Sequence, residues 1–348
     1  MKILFISHKF YPDIGGIEIN SEILANEFFK SGHEVKLITW TTRPGEKQFP
    51  FSIIRAPGLF ILLREYKWAN IIFENNPSLR LAWPSFFYKK PHVVALCTWI
   101  NRVNGKIGWQ DRLKFLWLKR VSAVIAVSDA IRKKCWKNSI VISNPYSSEL
   151  FRKLPGIEKK IDFVFLGRLV SDKGAHIAIK AIAHLLKNEY RSYRNHTEIS
   201  LTIIGDGPEL QSLKNMATDM NIGRNVEFTG SLIGEELVRC LNKHRFILIP
   251  SVWEEPFGNV ALEGMACGCV PIVSDGGGLL DAVGNAGVSF ISGSVISLVE
   301  CVLKVINNSG LENQLRNSAQ SHLENHLPDV ISMRYLSVMQ RAITSKYS

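Results

Sequence analysis

The constraint that most limits what this chain can become is a repeating alternation of short apolar, β-rich runs with longer helical stretches. Strands are expected at residues 2–7, 35–40, 70–73, 93–96, 123–127 and 140–142, each separated from the next by polar or helix-patterned sequence. Between the first two runs, a helix is expected over 17–30. Ile23, Leu24 and Phe28 share one of its faces, and Gly32 ends it where a left-handed residue is wanted. Strand–helix alternation of this kind builds parallel, doubly wound sheets. The alternation breaks at the Pro- and Gly-containing charged stretch 154–160 and then restarts. Strands are expected at 163–166, 200–204, 226–229, 246–249 and 270–273, with helices at 175–187 and 209–220. A length of 348 residues suits two such domains rather than one. The expected division is 1–157, then 158–328, then a closing helix at 329–348 that packs back on the first domain. That helix is signalled by apolar residues at 331, 333, 336, 339 and 343.

In doubly wound sheets, ligands sit beyond the carboxyl ends of the strands, so the loops there are the place to look for chemistry. Gly15-Gly16 follows the first strand and opens a helix, which would let backbone approach an anion. Two adjacent glycines can equally be a turn, and the spacing is not that of a dinucleotide fingerprint. Arg168 and Lys173 lie in the glycine-flanked loop 167–174. Such a pair would neutralise a diphosphate, Arg by forked hydrogen bonds and Lys as a point charge, and it would also serve as two solvated loop cations. Gly205-Asp206-Gly207-Pro208 reads chiefly as a tight strand-to-helix bend. The segment 254–263 says most. Pro256 should set a helix start, with the N–H groups near Gly258 to Val260 turned to a ligand. Glu255 precedes that helix, and Glu263 stands two turns along it beside Ala261, Leu262, Met265 and Ala266. A carboxylate in so apolar a stretch needs hydroxyl or other donors.

Composition removes several alternatives. Hydrophobic residues are 46% and charged residues 21% of the chain, which excludes a disordered or collagen-like polymer. The longest apolar run, 58–63, is far short of the ~18 residues a membrane span needs. The five-residue apolar stretch at 3–7 reads as a strand, not a signal peptide. The six cysteines show no metal-type spacing, so reduced, cytosolic thiols are expected. Charge is lopsided: residues 1–157 hold 24 Lys and Arg against 11 Asp and Glu, and residues 158–348 hold 18 against 20. Within 102–137, ten cations face only Asp111 and Asp129, and Trp109, Phe115, Trp117 and Trp136 are interleaved. Basic-plus-aromatic surfaces suit anionic membrane interfaces. No nucleic-acid motif accompanies the charge, so nucleic acid is not an expected partner.

Taken together, Pro12-x-x-Gly15-Gly16, Gly167-Arg168, Asp172-Lys173-Gly174, Gly205-Asp206-Gly207-Pro208, Pro250-Ser251 and Glu255-Pro256-Phe257-Gly258 through Glu263 resemble the retaining glycosyltransferases of the GT-B fold, family 4, the group 1 transferases. The resemblance covers nearly the whole chain, and its strongest element is the pair of glutamates eight residues apart. It implies an α/β protein of two Rossmann-like doubly wound domains facing a cleft. It implies transfer of a hexose, with retention by front-face attack, from a UDP- or GDP-linked sugar to a hydroxyl of a glycan or lipid-linked acceptor. Polysaccharide, lipopolysaccharide or glycolipid synthesis would be the setting. Arg168, Lys173 and Glu255 would be catalytic. Gly15, Gly16, Phe257, Gly258, Asn259, Val260 and Glu263 would join Arg168 and Lys173 in binding the nucleotide sugar, with Glu263 on the ribose. No cofactor is expected besides the donor itself. No Asp-x-Asp occurs, so no metal is expected either. The protein would be cytoplasmic and peripheral at the inner face of the membrane, held there by the basic first domain. Two departures stand out: Cys97 occupies a strand end where the family carries histidine, and Asp281 stands where Glu is commoner. The alternative from another class is a catalytically degenerate relative that only binds sugar nucleotide or acts as a scaffold subunit.

Overall fold

The computed structural model describes residues 1–100, 108–187 and 199–347. Arg102 and Lys106 of the basic stretch lie outside the described residues. The chain divides into two compact units: residues 1–145 with 326–348, and residues 146–325.

The first unit holds a seven-stranded parallel sheet. Its strands are β1 (Lys2–Ile6), β2 (Glu34–Thr39), β3 (Ser52–Arg55), β4 (Ile71–Asn75), β5 (His92–Leu96), β6 (Ala123–Ala126) and β7 (Ile140–Val141), in the order β3-β2-β1-β4-β5-β6-β7. Strand β3 has no counterpart in the sequence expectation. It is a four-residue edge strand with no fully buried position, so it lacks the apolar run that marks β1 or β4. Helix α1 (Gly16–Lys30) buries Leu24, Ala25 and Phe28, and Gly32 beyond it has φ of 79°. On that side of the sheet Phe5, Phe28 and Phe73 meet edge to face or tilted, at ring separations of 4.9 to 6.1 Å. Helices α2 (Leu59–Trp68) and α3 (Trp109–Leu118) follow in chain order. Leu62 and Tyr66 of α2 pack with Leu4, Ile6 and Ile72 on the opposite side of the sheet.

The second unit holds a six-stranded parallel sheet: β8 (Ile161–Leu166), β9 (Leu201–Ile204), β10 (Val226–Gly230), β11 (His244–Ile249), β12 (Val270–Ser274) and β13 (Val288–Phe290), in the order β10-β9-β8-β11-β12-β13. Its principal core joins Phe163, Phe165, Phe246 and Leu248 to the apolar face of α4 (Ala175–Lys187). Helices α5 (Asn259–Ala266) and α6 (Ser309–Glu324) complete the elements needed below. At the amino ends of the strands, Arg245 bridges Asp162 at 3.0 Å and Glu312 of α6 at 2.7 Å.

Residues 146–157, which the sequence reading assigns to the first domain, fall in the second unit. The Asn242 side chain explains this by holding the segment on both sides. It accepts from the Leu154 N–H at 2.9 Å and donates to the Arg152 carbonyl at 3.0 Å. Lys159 then donates to the carbonyls of Asn242, His244 and Cys267, which closes the bottom of the sheet. At the other end of the chain, helix α7 (Pro328–Tyr347) returns to the first unit, where the buried Tyr335 ring meets Phe73 edge-on at 5.6 Å. Among the described residues no helix is long and apolar enough to cross a membrane.

Candidate functional site

In the second unit the strand order reverses between β8 and β11. The connections leaving these neighbours run to opposite faces and open a crevice at their carboxyl ends, which is where ligands bind in such sheets. The loop after β8 carries Arg168 and Lys173, and the loop after β11 carries Ser251 and Glu255. Glycine lets the two lie backbone to backbone. Gly174 has φ of 74°, and a Cβ there would run into the Pro250 carbonyl. The Asp172 carbonyl accepts the N–H groups of Val252 and Trp253 at 2.9 and 3.2 Å, fixing the register of the two loops. Gly205 and Gly207 do the same on the other flank, since side chains there would meet the carbonyls of Gly167 and Leu169.

The loops bring Lys173 and Glu255 into contact. The Lys173 ammonium donates to Glu255 Oε1 at 2.5 Å, and the Ser251 hydroxyl donates to the same oxygen at 2.8 Å. Ser251 is itself anchored, because its carbonyl accepts from Ser274 at 2.7 Å and from Ser292 at 3.2 Å. The Glu255 backbone bridges to Gly277, and its carbonyl accepts the Gly278 N–H at 2.7 Å. Arg168 is exposed on the same loop as Lys173, and its guanidinium has no partner among the described residues.

Helix α5 begins at this site. Gly258 is its N-cap with φ of 119°, a left-handed conformation that glycine adopts without strain. Asn259 and Val260 open its first turn, and the first-turn N–H groups of a helix point out along its axis, toward whatever lies at its start. Phe257 is buried and works as packing, so only its backbone can contribute to a site. Glu263, one turn beyond Asn259, is partly buried and has no hydrogen-bond partner among the described residues. Burial pushes its carboxyl up to about 7. A carboxyl left unpaired in so apolar a place is suited to accept donors from a ligand.

Gly15 and Gly16 belong to the first unit, as N-cap and first residue of α1. Gly15 is extended, with φ of −179°, so its backbone does not require glycine. Beneath them lies a buried polar cluster that sequence reasoning missed. Asn75 donates to Ser21 Oγ at 2.7 Å, Ser7 and Ser21 share a hydrogen bond of 2.9 Å, and the Cys97 thiol donates to Asn75 Oδ1 at 3.0 Å. Burial pushes the Cys97 thiol up to about 12, so it keeps its proton and acts as a donor. The only signal in the sequence was the polar residue ending each apolar strand, at Ser7, Asn75 and Cys97.

Residues 147–322 match the family described as glycosyl transferases group 1. A glycogen synthase of Mycobacterium tuberculosis is 33% identical over 164 residues, which are 47% of this chain and 38% of that protein. The GPI3 subunit of the phosphatidylinositol N-acetylglucosaminyltransferase of Saccharomyces cerevisiae is 23% identical over 352 residues, covering 88% of this chain and 75% of that protein. The Anabaena protein Alr3699/HepE, crystallised with UDP and glucose, superposes with a TM-score of 0.77 at 18% identity, covering 98% of this chain and 100% of that one. At that identity the likeness is one of fold.

Proposed function

The chain belongs to the group 1 glycosyl transferases and has their GT-B architecture of two Rossmann-like units, and from this premise we propose that it is a retaining, metal-independent hexosyltransferase. Its donor is a UDP- or GDP-linked hexose, and its acceptor is a hydroxyl of a glycan or lipid-linked glycan. The reading places the enzyme on the cytoplasmic side of the membrane, in polysaccharide, lipopolysaccharide or glycolipid synthesis. The Anabaena neighbour's UDP and glucose support a nucleotide-sugar donor. The yeast relative's phosphatidylinositol acceptor supports a lipid-linked one.

The observation that carries the proposal is the convergence of Arg168, the Lys173–Glu255 pair and the first turn of α5 at one switch point. In this reading the donor diphosphate lies against Arg168, Lys173 and the N–H groups of Gly258, Asn259 and Val260. Lys173 then has two anions to serve, Glu255 and the diphosphate, and Ser251 keeps Glu255 in place. As the bond from the anomeric carbon to the phosphate oxygen breaks, negative charge grows on that oxygen beside the two cations. Each preorganised cation lowers the barrier by about 3 kcal/mol. Glu255 stabilises the positive charge on the anomeric carbon, and Glu263 accepts the ribose hydroxyls. The acceptor oxygen attacks from the face the phosphate is leaving, and its proton passes to the departing phosphate oxygen. No side-chain base is then needed, and the protonated Cys97 is compatible with turnover.

Cys97 also favours the second reading, a sugar-nucleotide-binding or scaffold subunit, because a thiol held near 12 offers no base at that strand end. Release of nucleoside diphosphate from UDP- and GDP-hexoses separates the two. We expect release with one donor class, and a loss of roughly a hundredfold in kcat in Arg168→Ala and Lys173→Ala, with melting temperatures unchanged. Binding without turnover for every donor would establish the second reading. Native turnover in either variant would remove that residue from the site.

A further inference from the structure

In the first unit three successive connections, β3 to β4, β4 to β5 and β5 to β6, run across the sheet in the same direction. Right-handed crossovers place all three on one face. Helix α2, the 3-10 turn Trp83–Phe86 and helix α3 therefore form a single layer, on the side of the sheet away from α1. Ring contacts knit the layer together: Tyr66 of α2 lies 6.3 Å from Tyr88, and Phe86 lies 5.4 Å from Trp117 of α3.

The inner side of this layer is closed by Leu62, Tyr66 and Leu81 against β1 and β4. The outer side leaves large apolar side chains in the open: Phe60 is 84% exposed, Phe87 76% and Trp109 67%, with Leu116 also exposed. Single exposed hydrophobics are ordinary, but a set spread over three adjoining elements marks an interaction surface. Charge on the same elements has one sign. Glu65 and Asp111 are the acidic residues of α2 and α3, and both are buried. Glu65 is paired with Lys36 and Arg64, and Asp111 accepts the Gly108 N–H. Lys67, Arg112 and Lys119 are exposed and have no carboxylate partner among the described residues.

We propose that the outer face of this layer docks on an anionic lipid bilayer. Aromatic and leucine side chains enter the headgroup boundary, while Lys and Arg lie on the lipid phosphates. A second copy is a poor occupant. A two-fold contact sets the same patch against itself, and here that would bring cation against cation. The proposal does not rest on the transfer reading, and its test uses neither nucleotide nor sugar.

The test is flotation of the purified chain with vesicles of phosphatidylcholine alone and of phosphatidylcholine with phosphatidylglycerol in equal parts. We expect flotation only with the anionic vesicles, weakening as salt is raised. Phe60→Ser with Trp109→Ser should reduce partitioning roughly tenfold or more. Arg112→Gln and Lys119→Gln should each reduce it on the order of fivefold. All four side chains are exposed, and unchanged melting curves would show that the variants are folded. Three results would overturn the proposal: no flotation with anionic vesicles, equal flotation with neutral ones, or undiminished binding by both sets of variants. Sedimentation showing a tight dimer that the Phe60 and Trp109 changes dissociate would overturn it in favour of self-association.

Discussion

Glu263 illustrates how much one side chain can report. Its carboxyl, ordinarily at 4.5, is pushed up to about 7 by burial with no compensating partner. A carboxyl raised on folding binds more protons in the folded than in the unfolded chain between those two values. Its effect on stability is therefore least harmful below the ordinary carboxyl range and worsens as pH rises from 4.5 to about 7. Glu263→Gln should remove that slope, melting above the parent protein at about pH 8 and level with it at about pH 4. If ribose hydroxyls bind this carboxylate, they favour its ionised form, so donor binding should release a proton near neutral pH. Titration calorimetry in buffers of different ionisation enthalpy measures that proton. A release equal in the parent and in Glu263→Gln would separate Glu263 from the donor.

At the scale of elements, the site depends on loops that approach one another through backbone. Gly174 and Gly156 share nearly the same left-handed φ, 74° and 77°, but only Gly174 faces a backbone group, the Pro250 carbonyl. Gly156→Ala should cost about 1 kcal/mol for conformation alone. Gly174→Ala should cost about 3 kcal/mol and also displace Lys173 from Glu255. Urea denaturation gives both values, and equal costs would show that the two loops are not held by this contact. Strand legibility follows the same physics. Strands buried on both faces, such as β1, β4 and β11, announce themselves as continuous apolar runs. The short edge strands β3 and β13 do not, because an edge with half-buried positions needs no such run.

At the scale of the molecule, the chain leaves its first unit at residue 145 and re-enters it at 326, so the carboxyl-terminal helix belongs to the fold of the amino-terminal sheet. Tyr335 of α7 is wholly buried against Phe73, and its hydroxyl has no partner among the described residues. Tyr335→Ala should destabilise the first unit by about 3–5 kcal/mol. Tyr335→Phe should stabilise it by about 1 kcal/mol, because it removes an orphaned buried hydroxyl. Amide hydrogen exchange locates the effect. Loss of protection in β4 and β5 is expected, while loss confined to β8 and β11 would mean that α7 does not support the first sheet.

The sequence by itself determined the two parallel sheets, because strand–helix alternation leaves few other ways to satisfy backbone hydrogen bonds and bury apolar runs. It also determined which residue types stand at the candidate site, since glycines, Arg168, Lys173, Glu255 and Glu263 sit at recognisable places between strands and helices. Tertiary structure decided what those residues touch. The Lys173–Glu255 contact joins residues 82 positions apart and exists only because β8 and β11 are neighbours. The state of Cys97 is set by exclusion of water, and its thiol donates to Asn75, neither of which its own neighbours in sequence reveal. The basic excess of the first half was legible as a number. Whether the cations of α2 and α3 stand beside acids or beside open aromatic rings depended on which side chains the fold buried, and in those two helices it buried the acids, Glu65 and Asp111.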